Sequence, residues 1–137
     1  MHTRIPTDEL EFARTLKDVN VVFDVGARTD TDYFDIFPNA EFHLFEPNPE
    51  FFALLKENVD SRPDIKKVSL NKTALGDKET EVGYSNGSQA CQDGDNQVPT
   101  TEIIVPVTTI DSYMAKNAIE KIDFLKIDTE GYDYKVL

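Results

Sequence analysis

The sequence predicts an α/β fold built on a mostly parallel sheet, and three observations carry that prediction. Apolar runs of strand length, Val19–Val25, Glu41–Phe45 and Ile122–Asp128, alternate with stretches of helical periodicity. Two apolar runs reach a carboxylate, Asp24 in Val21-Val22-Phe23-Asp24-Val25-Gly26-Ala27 and Glu46 in Phe42-His43-Leu44-Phe45-Glu46-Pro47. Asp24 and Glu46 lie 22 residues apart, close to the ~20 residues between the glycine turn and the ribose-binding acid of a nucleotide-binding βαβ unit. Parallel strands bring their carboxyl ends to one rim, so both acids are expected to face one crevice.

The elements follow in order. Residues 8–18 read as a helix. Asp8 stands as a cap with Glu11 at capping-box spacing, and Leu10, Ala13 and Leu16 share a face with Phe12 beside Leu16. Val19–Val25 is the first strand. A short helix is expected over Thr31–Phe37, ended by Pro38. Glu41–Phe45 is the second strand. Asn48-Pro49 opens a helix with a cap residue and then proline at the first helical position. It runs to about Val59 and carries Phe52, Leu55 and Val59 on one face. Lys66–Leu70 is a third, weaker strand.

The pattern then changes. Glu81–Tyr84 and Glu102–Val107 alternate or are β-branched, which predicts an antiparallel strand pair inserted before the last strand and added to the parallel sheet. The polar loop between them, Asn86 to Thr101, holds Gly87, Asp93, Gly94, Asp95, Asn96 and Pro99. A loop beyond ~12 residues in a compact domain is usually functional or disordered, and this one is a candidate to close over a substrate. Thr109 caps a helix from Ile110 to about Ala118. Ile122–Asp128 is the last strand, and Thr129-Glu130-Gly131 turns into a final helix cut off at Leu137.

Composition bounds the functional classes. The 137 residues are read as one domain, 1–137, whose nine Phe and five Tyr can fill a core. No apolar run approaches the ~18 residues of a membrane span. The start is polar and charged, unlike a secretory signal. The single Cys91 excludes an internal disulfide and fits a reducing compartment, so a cytoplasmic location is expected. The net charge of −12 gives no support to nucleic acid or an anionic membrane as a partner.

The glycine count separates two kinds of ligand. A dinucleotide fold uses G-x-G-x-x-G so that a pyrophosphate can approach backbone N–H groups at a helix start. Here the turn reads Asp24-Val25-Gly26-Ala27-Arg28-Thr29-Asp30, with one glycine and an acid at each end. These acids would repel phosphate and suit a ligand with a cationic end. S-adenosyl-L-methionine (SAM) has an ammonium, a sulfonium and a ribose diol, and no phosphate. Asp24 would hold the ammonium directly or through water, and Gly26 would let the methionine part lie against the backbone. Glu46 would accept both ribose hydroxyls. Either motif alone is better read as an ordinary strand with an acidic end; the pair at this spacing favours a site.

The last strand carries the second chemical signal. Alternation puts Phe124, Lys126 and Asp128 on one face and Leu125 and Ile127 on the other. A lysine near the end of a buried strand is costly unless paired, and Asp128 is its nearest acid in sequence, with Glu130 in the turn beyond. A structural Lys126–Asp128 pair and a functional one are both open on these residues.

With these segments in hand, the chain resembles the FkbM-type family of SAM-dependent methyltransferases from about Val21 to Leu137. The matching segments are Phe23-Asp24-Val25-Gly26-Ala27, Phe45-Glu46-Pro47, Ala74-Leu75-Gly76-Asp77, Thr109-Ile110-Asp111 and Leu125-Lys126-Ile127-Asp128-Thr129-Glu130-Gly131. The resemblance implies a Rossmann-like three-layer α/β/α methyltransferase fold and methyl transfer, commonly to a hydroxyl of a sugar or small metabolite. It assigns Asp24, Gly26 and Ala27 to the methionine-binding turn, Glu46 and Pro47 to the ribose end, and Ala74 and Leu75 to the third strand where it passes the adenine. Arg28 and Asp30 depart from the family's usual G-A-N-x-G turn.

The sequence therefore points to a SAM-dependent O-methyltransferase, with Asp128 as the candidate base, Glu130 second, and Lys126 orienting Asp128 or lowering repulsion among the acids. A Rossmann-like module binding another nucleotide, or one without turnover, is the alternative. Only nine residues follow Asp128, so the chain is expected to be the N-terminal portion of a seven-stranded fold. An uncovered edge on the last strand is then expected to favour self-association. His43 reads as a partly buried structural histidine. Asp93-Gly94-Asp95-Asn96 lacks the rest of an EF-hand, and no metal is expected.

Overall fold

The computed structural model describes residues 7–85 and 102–128. In chain order the elements are α1 (Thr7–Arg14), β1 (Val21–Val25), β2 (Glu41–Phe45), α2 (Pro49–Asp60), β3 (Lys67–Asn71), β4 (Ala74–Leu75), β5 (Thr80–Ser85), β6 (Glu102–Thr108), α3 (Ile110–Lys116) and β7 (Phe124–Ile127). The four-stranded sheet has the order β3-β2-β1-β7, and every pairing in it is parallel. The architecture is a mixed α/β fold of the Rossmann-like kind, as the alternation of strands and helices predicts.

Alternation along β1 and β2 divides the core into two layers. Val22, Phe42 and Leu44 join Ala13, Tyr33, Phe34 and Leu55 on one face, whereas Phe23, Val25 and Phe45 join Leu75 and Tyr113 on the other. Each fully buried phenylalanine contributes roughly 2–3 kcal/mol of apolar burial, so the two strands tie both layers to the same rim. Asn48 caps α2 as expected, its side chain accepting from the N–H groups of Glu50 and Phe51, and Thr109 caps α3 by accepting from Ser112 N.

The last strand is fastened to the first by Asp123. Its Oδ2 accepts from Asn20 N at 2.9 Å and Val21 N at 3.0 Å, and its own N–H donates to Val21 O at 2.9 Å. These bonds hold the Asp123 carboxyl below the ordinary carboxylate range. They also set the register that pairs Asp24 with Lys126 and Val25 with Ile127.

Four expectations are corrected. The first helix stops at Arg14 rather than residue 18, because the N–H and hydroxyl of Thr15 both turn back to Phe12 O, at 3.0 and 2.7 Å. No helix forms over Thr31–Phe37. Asp30 Oδ1 and Thr31 Oγ1 capture the N–H groups of Thr31 and Tyr33, and the segment packs instead as turns that bury Tyr33, Phe34 and Phe37. The antiparallel pair, β5 and β6, does not extend the parallel sheet; with β4 it forms a separate three-stranded sheet, order β4-β6-β5. Ala74 and Leu75 accordingly lie in β4, not in the third strand. Leu75 anchors that sheet by burying its side chain against the second core layer. Next to it, a Cβ on Gly76 would stand 2.9 Å from Val107 Cγ1, so a larger residue here would force the Val107 side chain to shift. The expected 86–101 loop and the final helix after Asp128 lie outside the described residues.

Candidate active site

The carboxyl ends of β1, β2 and β7 meet at one rim. After Val25 the chain turns at Gly26, whose φ of 83° lies in the left-handed region glycine favours. Arg28 also sits there, at φ 62°, a conformation in which asparagine is the best-tolerated non-glycine residue. This agrees with the family pattern that Arg28 breaks. The Arg28 guanidinium lies 5.1 Å over the Phe51 ring.

Three successive N–H groups of the turn are committed to the protein itself. Gly26 N and Ala27 N both donate to Phe45 O, at 2.9 and 3.1 Å, and Arg28 N donates to Glu46 Oε1 at 2.7 Å. A pyrophosphate cradle needs such groups aimed outward. This turn uses them to weld β1 to β2.

Glu46 is the centre of that weld. Its Oε2 accepts from Asn48 N at 3.0 Å, its Oε1 holds Arg28 N, and its own N–H donates to Asn71 O at 3.0 Å. The residue is only 5% exposed. Burial raises its pKa above the ordinary carboxylate value, opposed by the N–H groups of Asn48 and Arg28 and by the charges of Arg28 and Lys126. Pro47 follows half-buried and leads into the Asn48 cap of α2.

Asp24 is buried, and its partner is Lys126. Lys126 Nζ donates to Asp24 Oδ1 at 2.8 Å and to Gly26 O at 3.2 Å. The expected Lys126–Asp128 contact is therefore replaced by a pair between register neighbours on adjacent strands. Asp128 stands one residue beyond β7, exposed, with its N–H donating to Val25 O at 2.9 Å, so it follows the strand next to the glycine turn. The structure thus brings Asp24, Gly26, Ala27, Glu46, Lys126 and Asp128 to one rim. Glu130 lies outside the described residues. Ala74 and Leu75 are buried at the start of the second sheet.

Sequence reasoning missed what lies behind this rim. His43 is fully buried rather than partly so, between Glu41 and Tyr113. A cavity of about 390 Å³ opens between α3 and the second sheet, lined by Phe45, Asn71, Glu79, Thr108, Tyr113 and Lys116 among others. Tyr113 lies 70 residues from His43 in the chain, and no local pattern announces such a contact. Among the described residues no cluster of three or more His, Cys, Asp or Glu side chains could hold a metal ion. No helix there is long and apolar enough to cross a membrane.

Comparison with known proteins gives one family match and two relatives of note. The FkbM methyltransferase domain matches residues 24–137. The chain is 28% identical over 120 residues to the hexuronic acid methyltransferase AglP of Haloferax volcanii, covering 86% of this chain and 48% of that protein. It is 22% identical to the 2-O-methyltransferase NoeI of Sinorhizobium fredii, covering 98% of this chain and 65% of that protein. The chain thus spans about half to two thirds of the length of these relatives. No solved structure matches the chain significantly.

Proposed function

The chain belongs to the FkbM methyltransferase family, and from that premise we propose that it uses SAM to methylate a hydroxyl, on a sugar or a small metabolite. The observation that carries this reading is the fixed carboxylate of Glu46. Each of its oxygens accepts one backbone N–H and keeps capacity for a second donor, which is what a vicinal ribose diol requires. The turn supports the reading from the other side, because the N–H groups of Gly26, Ala27 and Arg28 are spent on Phe45 O and Glu46 and are not aimed at a phosphate. Relatives named for hexuronic acid methylation and 2-O-methylation favour a carbohydrate acceptor.

When bound, the cofactor supplies an electrophilic methyl group on a sulfonium. The residues of this chain would do the rest. Glu46 would orient the ribose, and Gly26 and Ala27 would let the methionine end lie along the backbone. Asp24 would meet the ammonium through the carboxylate oxygen that Lys126 leaves, or through water. Lys126 would offset the negative charge that Asp24, Glu46 and Asp128 bring to one rim. Ala74, Leu75 and Pro47 would bound the adenine end through their backbone, since Leu75 spends its side chain on the core. Asp128, exposed beside the turn, would take the proton of the acceptor hydroxyl as it attacks, with Glu130 the second candidate. Holding that hydroxyl in line with the methyl supplies much of the acceleration in such a transfer.

Calorimetric titration with SAM, and separately with NAD, tests the reading. SAM should bind and NAD should not. Glu46→Ala should weaken SAM binding about 10- to 100-fold, the loss of a charge-assisted bond in a closed crevice. Unchanged SAM affinity in this variant would sink the cofactor assignment.

A further inference from the structure

On the sheet face that carries Phe23 and Phe45, four polar side chains form one hydrogen-bonded chain. Glu41 Oε2 lies 2.6 Å from His43 Nε2, His43 Nδ1 lies 2.6 Å from Tyr113 Oη, and Asn71 Nδ2 lies 3.2 Å from the same oxygen. One arrangement satisfies every member. Asn71 donates to the phenol oxygen, the phenol proton points to His43 Nδ1, and the Nε2–H of His43 donates to Glu41. Burial raises the pKa of Tyr113, so the phenol keeps its proton.

This chain ends on the rim. Asn71 also donates from Nδ2 to Leu44 O at 3.1 Å, and its main-chain oxygen accepts Glu46 N at 3.0 Å. The ring of Tyr113 packs edge-on to Phe45 with centroids 4.8 Å apart, and Phe45 O is the acceptor shared by Gly26 N and Ala27 N. Helix α3 therefore reaches the site at two points, through Asn71 to Glu46 and through Phe45 to the glycine turn. Packing alone does not explain the hydroxyl, since phenylalanine at 113 would fill the same space. His43 and Tyr113 are buried, and buried polar groups are costly to desolvate unless they are hydrogen-bonded. A satisfied chain of this kind fixes position in a way an apolar contact does not.

We propose that Tyr113 is a positioning residue for the cofactor site: its hydroxyl, held by His43, sets Asn71, and Asn71 sets Glu46. The proposal rests on the assignment of Glu46 as the ribose acid and adds how that acid is held.

Tyr113→Phe keeps the ring and removes the hydroxyl, and Asn71→Ala removes the amide by a second route. Amide hydrogen exchange at Glu46 and SAM affinity are measured in both. Exchange at Glu46 should quicken about threefold to tenfold, and the Kd for SAM should rise by a similar factor. Ile65→Ala, which loosens the opposite core layer, serves as the control. It should lower the Tm while leaving Glu46 exchange near the wild-type rate. Equal quickening in the control would mean general loosening and would overturn the proposal, as would unchanged Glu46 exchange in both rim variants. Should the wild-type protein bind no SAM, the cofactor reading falls by itself. Glu46 exchange still decides the positioning role, quickened exchange upholding it and unchanged exchange overturning it.

Discussion

Lys126 Nζ lies 2.8 Å from Asp24 Oδ1, joining two side chains 102 residues apart in the chain but directly opposite in register on β7 and β1. Their side chains are 10% and 2% exposed, so neither charge is relieved by water. A buried pair of this kind gains little net stability over an apolar replacement, but removing one partner strands the other charge. Lys126→Met should therefore destabilise the protein by about 3–5 kcal/mol, and Asp24→Leu should do likewise rather than act on ligand binding alone. The double variant Asp24→Leu, Lys126→Met should recover much of the loss. Urea unfolding of the three variants checks this, and additive losses in the double variant would show that the two charges do not compensate one another.

Glu46 makes the site sensitive to acid in two opposite ways. Burial raises its folded pKa above the ordinary 4.5. The folded protein then holds this proton more tightly than the unfolded chain. The resulting stability is fully present below pH 4.5 and is lost as pH rises through the folded pKa. If Glu46 holds the ribose, ligand binding should run the other way, since only the carboxylate accepts both hydroxyls of a diol. SAM affinity should fall as pH drops through the same raised value. Glu46→Gln should flatten both slopes. Titration and unfolding across the acid range check the pair, and a SAM affinity independent of pH there would contradict the role given to this carboxylate.

How much of this was legible depends on the range of the interaction. The strand ends and their acids could be read because a strand's apolar run and the interval between Asp24 and Glu46 are local quantities. The cap at Asn48 was legible for the same reason. The partner of Lys126 was misread because the nearest acid in sequence, Asp128, was preferred to the nearest across the sheet. Aligning the two strand ends would have found Asp24. The turns of 31–37 mimic a helix because Tyr33, Phe34 and Phe37 recur at helical spacing, whereas the competing bonds from Asp30 and Thr31 leave no periodic trace. The two-residue β4 is too short for any pattern. A strand pattern also cannot say which sheet a strand joins, so the separate β4-β6-β5 sheet was out of reach. The contact of His43 with Tyr113 is set only by the packing of α3 on the sheet.

A substitution at Asp128 tests binding and chemistry apart. It is exposed at the rim, and its backbone is held to Val25 O, so its carboxyl is available to an acceptor without being part of the Glu46 weld. Asp128→Asn preserves size and removes the base. If Asp128 takes the acceptor proton, turnover should fall by ~10²–10⁴ with SAM affinity nearly unchanged. Parallel losses of affinity and rate would make it a cofactor residue instead, and turnover like that of the wild type would remove it from the mechanism.

The outer side of β7 is the remaining consequence of the fold. Among the described residues β7 pairs only with β1, and Leu125 and Ile127 are 41% and 45% exposed. A strand edge with apolar side chains and unpaired backbone groups is a template for another strand, and among the described residues no strand of the second sheet pairs with it. The 137-residue chain should therefore associate with itself in a concentration-dependent way. Replacing Leu125 and Ile127 together by threonine should weaken that association while leaving the inward face of Phe124 and Lys126 intact. Sedimentation velocity over a hundredfold range of concentration checks it. A monomer throughout that range, melting cooperatively, would show that the edge is already covered.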